Sequence, residues 1–178
     1  DEIRVGGLRL VARATPGHTP EHLAWDIVPD SASAPTAILT GGSLMVGSAG
    51  RTDLLGPAMT EELTAAQYRS LRTLAALPDE VAVLPTHGSG SFCAAGPMDA
   101  ARTSTIGTER MRNPLFQATE EATFRSTMLA GLAPYPAYYA HMAPINRAGP
   151  AVLGALPVVP GLDPAGVDSM ATILRERV

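Results

Sequence analysis

The stretch Thr15-Pro16-Gly17-His18-Thr19-Pro20-Glu21-His22 constrains the fold of this chain more than any other. Two prolines flanking a glycine cannot continue a helix or a strand, so a stiff loop must stand here. Before it, Ile3 to Ala14 alternates apolar and polar residues around Gly6-Gly7, the pattern of a two-stranded hairpin. After it, His22 to Val28 reads as a further strand. A loop held this way presents His18 in one direction, which suits a metal ligand whose ring must point one way. His22 opens a strand, where packing or a hydrogen bond behind the site is the expected role.

Downstream, Ala37-Ile38-Leu39-Thr40 reads as a buried strand running into Gly41-Gly42. A glycine-rich stretch to Gly50 follows, then Arg51-Thr52-Asp53. Thr60-Glu61-Glu62 is read as the cap of a helix carrying Leu63, Ala66, Leu71, Leu74 and Leu77, stopped by Pro78. Val81 to Leu84 is a strand with the loop Pro85-Thr86-His87-Gly88 at its carboxyl end. Residues 117–131 are expected to be helical, residues 134–157 are punctuated by proline, and an amphipathic helix is expected from Pro164 to Arg177. Elements in this order predict an α/β (α+β) fold with function in the loops that follow the strands.

Composition narrows the partners. Apolar residues make up 46% and charged residues 17%, enough to bury a core. The net charge of −4, with no basic run, argues against nucleic acid, whose phosphates need clustered positive charge. No apolar run approaches the length of a membrane span. Cys93 is the single cysteine, so no internal disulfide can form, and a reducing, cytoplasmic compartment fits best.

Taken together, the segments resemble metallo-β-lactamase-fold proteins. Thr15 to His22, Leu39-Thr40-Gly41 with Val46-Gly47, Gly50-Arg51-Thr52-Asp53-Leu54 and Leu84-Pro85-Thr86-His87-Gly88 occur in that group in this order and spacing. Ser104-Thr105-Ile106-Gly107-Thr108-Glu109-Arg110 with Asn113-Pro114 resembles its persulfide-dioxygenase branch. So does Ala137-Tyr138-Tyr139-Ala140 with Asn146-Arg147-Ala148-Gly149-Pro150, in a tail similar to members that carry a following rhodanese domain.

The resemblance implies part of a four-layer αββα sandwich with a helical C-terminal extension. Residues 1–118 would be its C-terminal half, 119–156 the extension, and 157–178 a linker with the first helix of a rhodanese-like domain. It implies iron, or zinc in the thioester-hydrolysing glyoxalase II relatives, and a small thiol or persulfide substrate. His18 matches a metal ligand, and His87 matches a ligand of the dinuclear relatives. Arg51 and Asp53 match a segment that could grip a thiol-peptide carboxylate, with an Arg–Asp loop brace as the other reading.

The same mapping finds no counterpart of the family's His-x-His-x-Asp-His cluster, and Gly42 stands where a ligand carboxylate is expected. No catalytic residue can therefore be assigned. The strand-like start at Asp1 suggests a fragment, and a separate chain could supply the other half. Gly42 suggests a degenerate member kept as a binding or assembly module. A half-sandwich would expose a sheet face, so a homo-oligomer or a partner covering that face is expected.

Overall fold

The computed structural model of the chain describes residues 1–88, 91–96, 100–134, 136–152, 154–155, 161 and 163–168. The Gly6-Gly7 hairpin joins β1 (Glu2–Val5) to β2 (Leu8–Ala14), and Gly6 takes the left-handed φ of 59° that such a turn demands. After the proline loop come β3 (Leu23–Pro29), antiparallel to β2, and β4 (Ala37–Gly41), antiparallel to β3. Helix α1 (Pro57–Ala75) crosses over to β5 (Ala82–Pro85), which runs parallel to β4, and the short β6 (Ser104–Thr105) closes the series. The result is one six-stranded sheet in the order β1-β2-β3-β4-β5-β6.

Alternation sorts the sheet into two faces, because residues directly opposite each other share a face. Ala24, Ile38 and Val83 lie on the inner face and form one core with Leu71 and Leu74 of α1. Leu115 and Phe116 of α3 (Pro114–Gln117), with Phe124 and Met128 of α4 (Glu121–Ala130), extend that core. The other face carries Ile3, Val5, Leu8, Leu10, Trp25, Ile27 and Leu39, whose cross-strand pairing places them together. Val5 is 55% exposed and Leu39 39%, so within the described residues this apolar face stands largely open.

Three expectations shift. Helix α1 begins at Pro57 and not at Thr60, because proline pre-sets the helical φ of the first turn. Thr60 instead sits inside that turn, its Oγ1 donating to the Gly56 carbonyl at 3.0 Å. The helix expected over 117–131 is α4 alone, after a break at residues 118–120. Ahead of it lie α2 (Ile106–Arg112), capped by Thr105 Oγ1 accepting from Thr108 N–H, and α3, capped by Asn113 with Pro114 as its first residue. The proline-punctuated stretch also holds a helix, α5 (Tyr139–Ala148), with Pro144 inside it, since one proline removes a ladder bond without ending the helix.

The chain divides into two compact units, Asp1–Tyr139 with the whole sheet and Ala140–Val178. The first contains everything below. Residues 164–168 are helical, and the rest of the helix expected to reach Arg177 lies outside the described residues. Among the described residues, no helix is long and apolar enough to cross a membrane.

Candidate functional site

The proline loop folds back between β2 and β3. Thr15 N–H donates to the His22 carbonyl at 2.9 Å, and Gly17 N–H to the Thr19 carbonyl at 3.0 Å. Gly17 sits at φ 146°, where a side chain would also collide with buried Gln67 of α1. Only glycine lets the loop lie this close to the helix.

Both loop imidazoles lean on Gly41 and Gly42 at the end of β4. His22 Nδ1 pairs with Thr15 Oγ1 at 2.9 Å, and its Nε2 accepts from Gly42 N–H at 3.0 Å. Because a backbone amide can only donate, His22 carries its proton on Nδ1 and uses Nε2 as the acceptor. His18 Nδ1 donates to the Arg51 carbonyl at 2.8 Å, which leaves a lone pair on its Nε2. The two rings stand edge to face with centroids 6.1 Å apart.

Each imidazole also fills the space above one glycine. A Cβ on Gly41 would come within 2.6 Å of His22 Nε2, and Gly41 has φ 56° besides. A Cβ on Gly42 would lie 3.0 Å from Cγ and Nε2 of His18 and closer still to Cδ2. Gly50 adjoins Gly42, since a Cβ there would collide with the Gly42 carbonyl oxygen and lie 3.0 Å from His18 Cγ. His18 thus packs against two adjoining glycine backbones.

Burial lowers the pKa of His18; the bond to the Arg51 carbonyl raises it, and the charges of His87 and Arg51 lower it further. His22 is lowered in the same way, by burial first and by His18 second, against its bond to Thr15. Both rings are therefore held toward the neutral form.

Arg51 organises the neighbouring loops. It is 1% exposed, and its Nε and Nη2 donate to the two Asp53 carboxylate oxygens at 2.7 and 2.8 Å. Nη1 donates to the Phe92 carbonyl at 3.1 Å and Nη2 to the Ala133 carbonyl at 2.9 Å. Its own amide donates to the Cys93 carbonyl at 2.8 Å. A bidentate, buried guanidinium of this kind ties three chain segments together.

The structure therefore brings His18, Arg51 and Asp53 into one bonded cluster. His87 stands beside an open groove of about 520 Å³ lined by Pro85, Thr86, Gly88, Ala100 and Arg102, near enough for its charge to bear on His18. Thr15 and Gly50 belong to the cluster as well, although sequence reading passed over them. Thr15 opens the proline loop and Gly50 precedes Arg51, so their places in the motifs were the available signal.

These residues do not fit a metal ion as they stand. Among the described residues, no three His, Cys, Asp or Glu side chains converge. The Cβ from which a carboxylate at position 42 would have to hang would collide with the His18 ring. One imidazole nitrogen does not make a site that needs three or four converging donors.

This sheet, with helices on one face and the histidine loop at the end of its strands, defines part of a metallo-β-lactamase fold. A crystallised metallo-beta-lactamase from Staphylococcus aureus subsp. aureus COL matches 92% of this chain at 31% identity and a TM-score of 0.77, using 47% of its own length. ETHE1 from Myxococcus xanthus matches 83% at 30% identity and a TM-score of 0.63, using 57% of its length. By sequence, a hydroxyacylglutathione hydrolase of Chromohalobacter salexigens is 32% identical over 66% of this chain. An uncharacterized protein of Mycobacterium leprae is 30% identical over the same share. The chain spans about half the length of these relatives by sequence, 51% and 44% respectively. No family model matches it. Over the part it spans, the chain has the metallo-β-lactamase fold.

Proposed function

We propose that this chain is a metallo-β-lactamase-fold module of the persulfide-dioxygenase type whose own residues form no working metal centre. The observation that carries this reading is the packing of His18 against Gly42, which leaves no room for the Cβ of a side chain at the position matched to a carboxylate ligand. His18 and His22 serve as neutral hydrogen-bonding posts, and Arg51 with Asp53 braces the loops around them. The branch with a following rhodanese domain belongs to the same proposal.

Likeness to ETHE1 favours a persulfide of a small thiol as the compound class, oxidised by a whole protein of which this fold would be a part. Likeness to a hydroxyacylglutathione hydrolase supports a second reading, a thioester of the same kind of thiol. Oxygen uptake with glutathione persulfide and hydrolysis of S-lactoylglutathione separate the two. The isolated chain is expected to show neither above background. Turnover in the first assay would make it a dioxygenase in its own right, and turnover in the second a hydrolase.

A further inference from the structure

We propose that the free edge of β1 pairs antiparallel with β1 of a second copy of this chain, centred on Ile3. Among the described residues β1 has β2 as its one strand neighbour, and all four of its residues are exposed. In an antiparallel pair, residues that exchange backbone hydrogen bonds alternate with residues that do not. Ala12 N–H donates to the Asp1 carbonyl at 2.9 Å, and the register runs Ile3 to Leu10 and Val5 to Leu8. Asp1, Ile3 and Val5 therefore face β2 through their backbones. The N–H and C=O groups of Glu2 and Arg4 point outward, unpaired by the sheet.

Only one register uses those four groups and keeps each face of the sheet continuous. Centred on Ile3, it sets Glu2 opposite Arg4 of the second copy and Arg4 opposite Glu2 of the second copy. Both positions are hydrogen-bonding pairs in that arrangement, so the outward amides and carbonyls of the two strands meet. Opposite charges directly across a sheet attract, whereas like charges would repel. Charged residues usually protect an edge from pairing. Here their signs alternate two residues apart, so they protect against most strands and complement a second copy of the same strand.

Side-chain exposure agrees with this. Among the described residues, the side chains of Arg4 and Glu2 make long, solvent-exposed ion pairs: Arg4 to Glu2 and to Asp30 at 3.5 Å, and Arg9 to Glu2 at 3.6 Å. They remain free to turn toward a partner strand. On the opposite face Ile3, 51% exposed, would meet Ile3 of the second copy. The opposite edge of the sheet, the two-residue β6, offers no comparable length.

Light scattering on the eluting full chain over a hundred-fold concentration range tests this. A concentration-dependent dimer is expected. Arg4→Pro removes one outward N–H and leaves the β1–β2 bonds intact, as edge prolines do, and should give a monomer with unchanged circular dichroism. Glu2→Arg should weaken the dimer about ten-fold or more by setting Arg opposite Arg. The double variant Glu2→Arg/Arg4→Glu should restore it, which a merely structural role for either residue would not produce. A chain monomeric at every concentration overturns the proposal. So does a dimer indifferent to Arg4→Pro, which would move association to the open apolar face.

Discussion

The His18 imidazole occupies the space that a side chain on Gly42 would need, with Cγ and Nε2 each 3.0 Å from the position of that Cβ. The backbone of Gly42 is not in the left-handed region, unlike Gly41 beside it at φ 56°. Space, and not φ, is what holds position 42 to glycine. The ring is pinned from behind by the Arg51 carbonyl and cannot swing away without losing that bond.

Restoring a carboxylate should therefore destabilise the chain. Gly42→Asp is expected to lower unfolding free energy by about 1–3 kcal/mol, the usual consequence of forcing atoms into a packed region. Urea denaturation of the variant and parent measures it. An unchanged midpoint would mean that His18 moves freely and its packing on Gly42 is loose.

Arg51→Lys should cost about 3 kcal/mol or more, because lysine cannot reproduce the forked contact and Asp53 loses its buried partner. Chemical denaturation gives the figure. If Arg51 gripped a ligand and braced nothing, lysine would leave stability intact.

Stability should also fall with acid. Burial holds the folded pKa of both His18 and His22 below the ordinary imidazole value. The unfolded chain therefore binds protons first, and stability rises with pH wherever it binds more of them. Their contribution is complete above the unfolded value and is lost as pH falls below it, at up to about 1.4 kcal/mol per pH unit for each ring. Urea midpoints at pH 7.5 and 5.5 should differ, and His18→Gln with His22→Gln should flatten the difference. An equal slope in the double variant would contradict this assignment.

Much of this was legible in sequence. Gly6-Gly7 between alternating residues gave the hairpin, and the proline loop placed His18 and His22 together, because both signals act over a few residues. Thr60-Glu61-Glu62 mimics a cap, whereas Gly56-Pro57 supplies the start of helix α1. Helices α2 and α3 carry cap signals in Thr105 and Asn113-Pro114, but each is too short to show a period. The Gly42–His18 contact joins residues 24 positions apart, and no local pattern encodes it. The same is true of Arg51 reaching Ala133 across the fold.

The central claim is that this chain by itself forms no metal centre, and metal content tests it most directly. The full chain, purified, loaded with ferrous iron or zinc under anaerobic conditions and then desalted, should retain far less than one ion per chain. His18→Ala should leave that small amount unchanged. One tightly held ion per chain that disappears in His18→Ala would contradict the account, by showing that His18 leaves its place over Gly42 to join a ligand set.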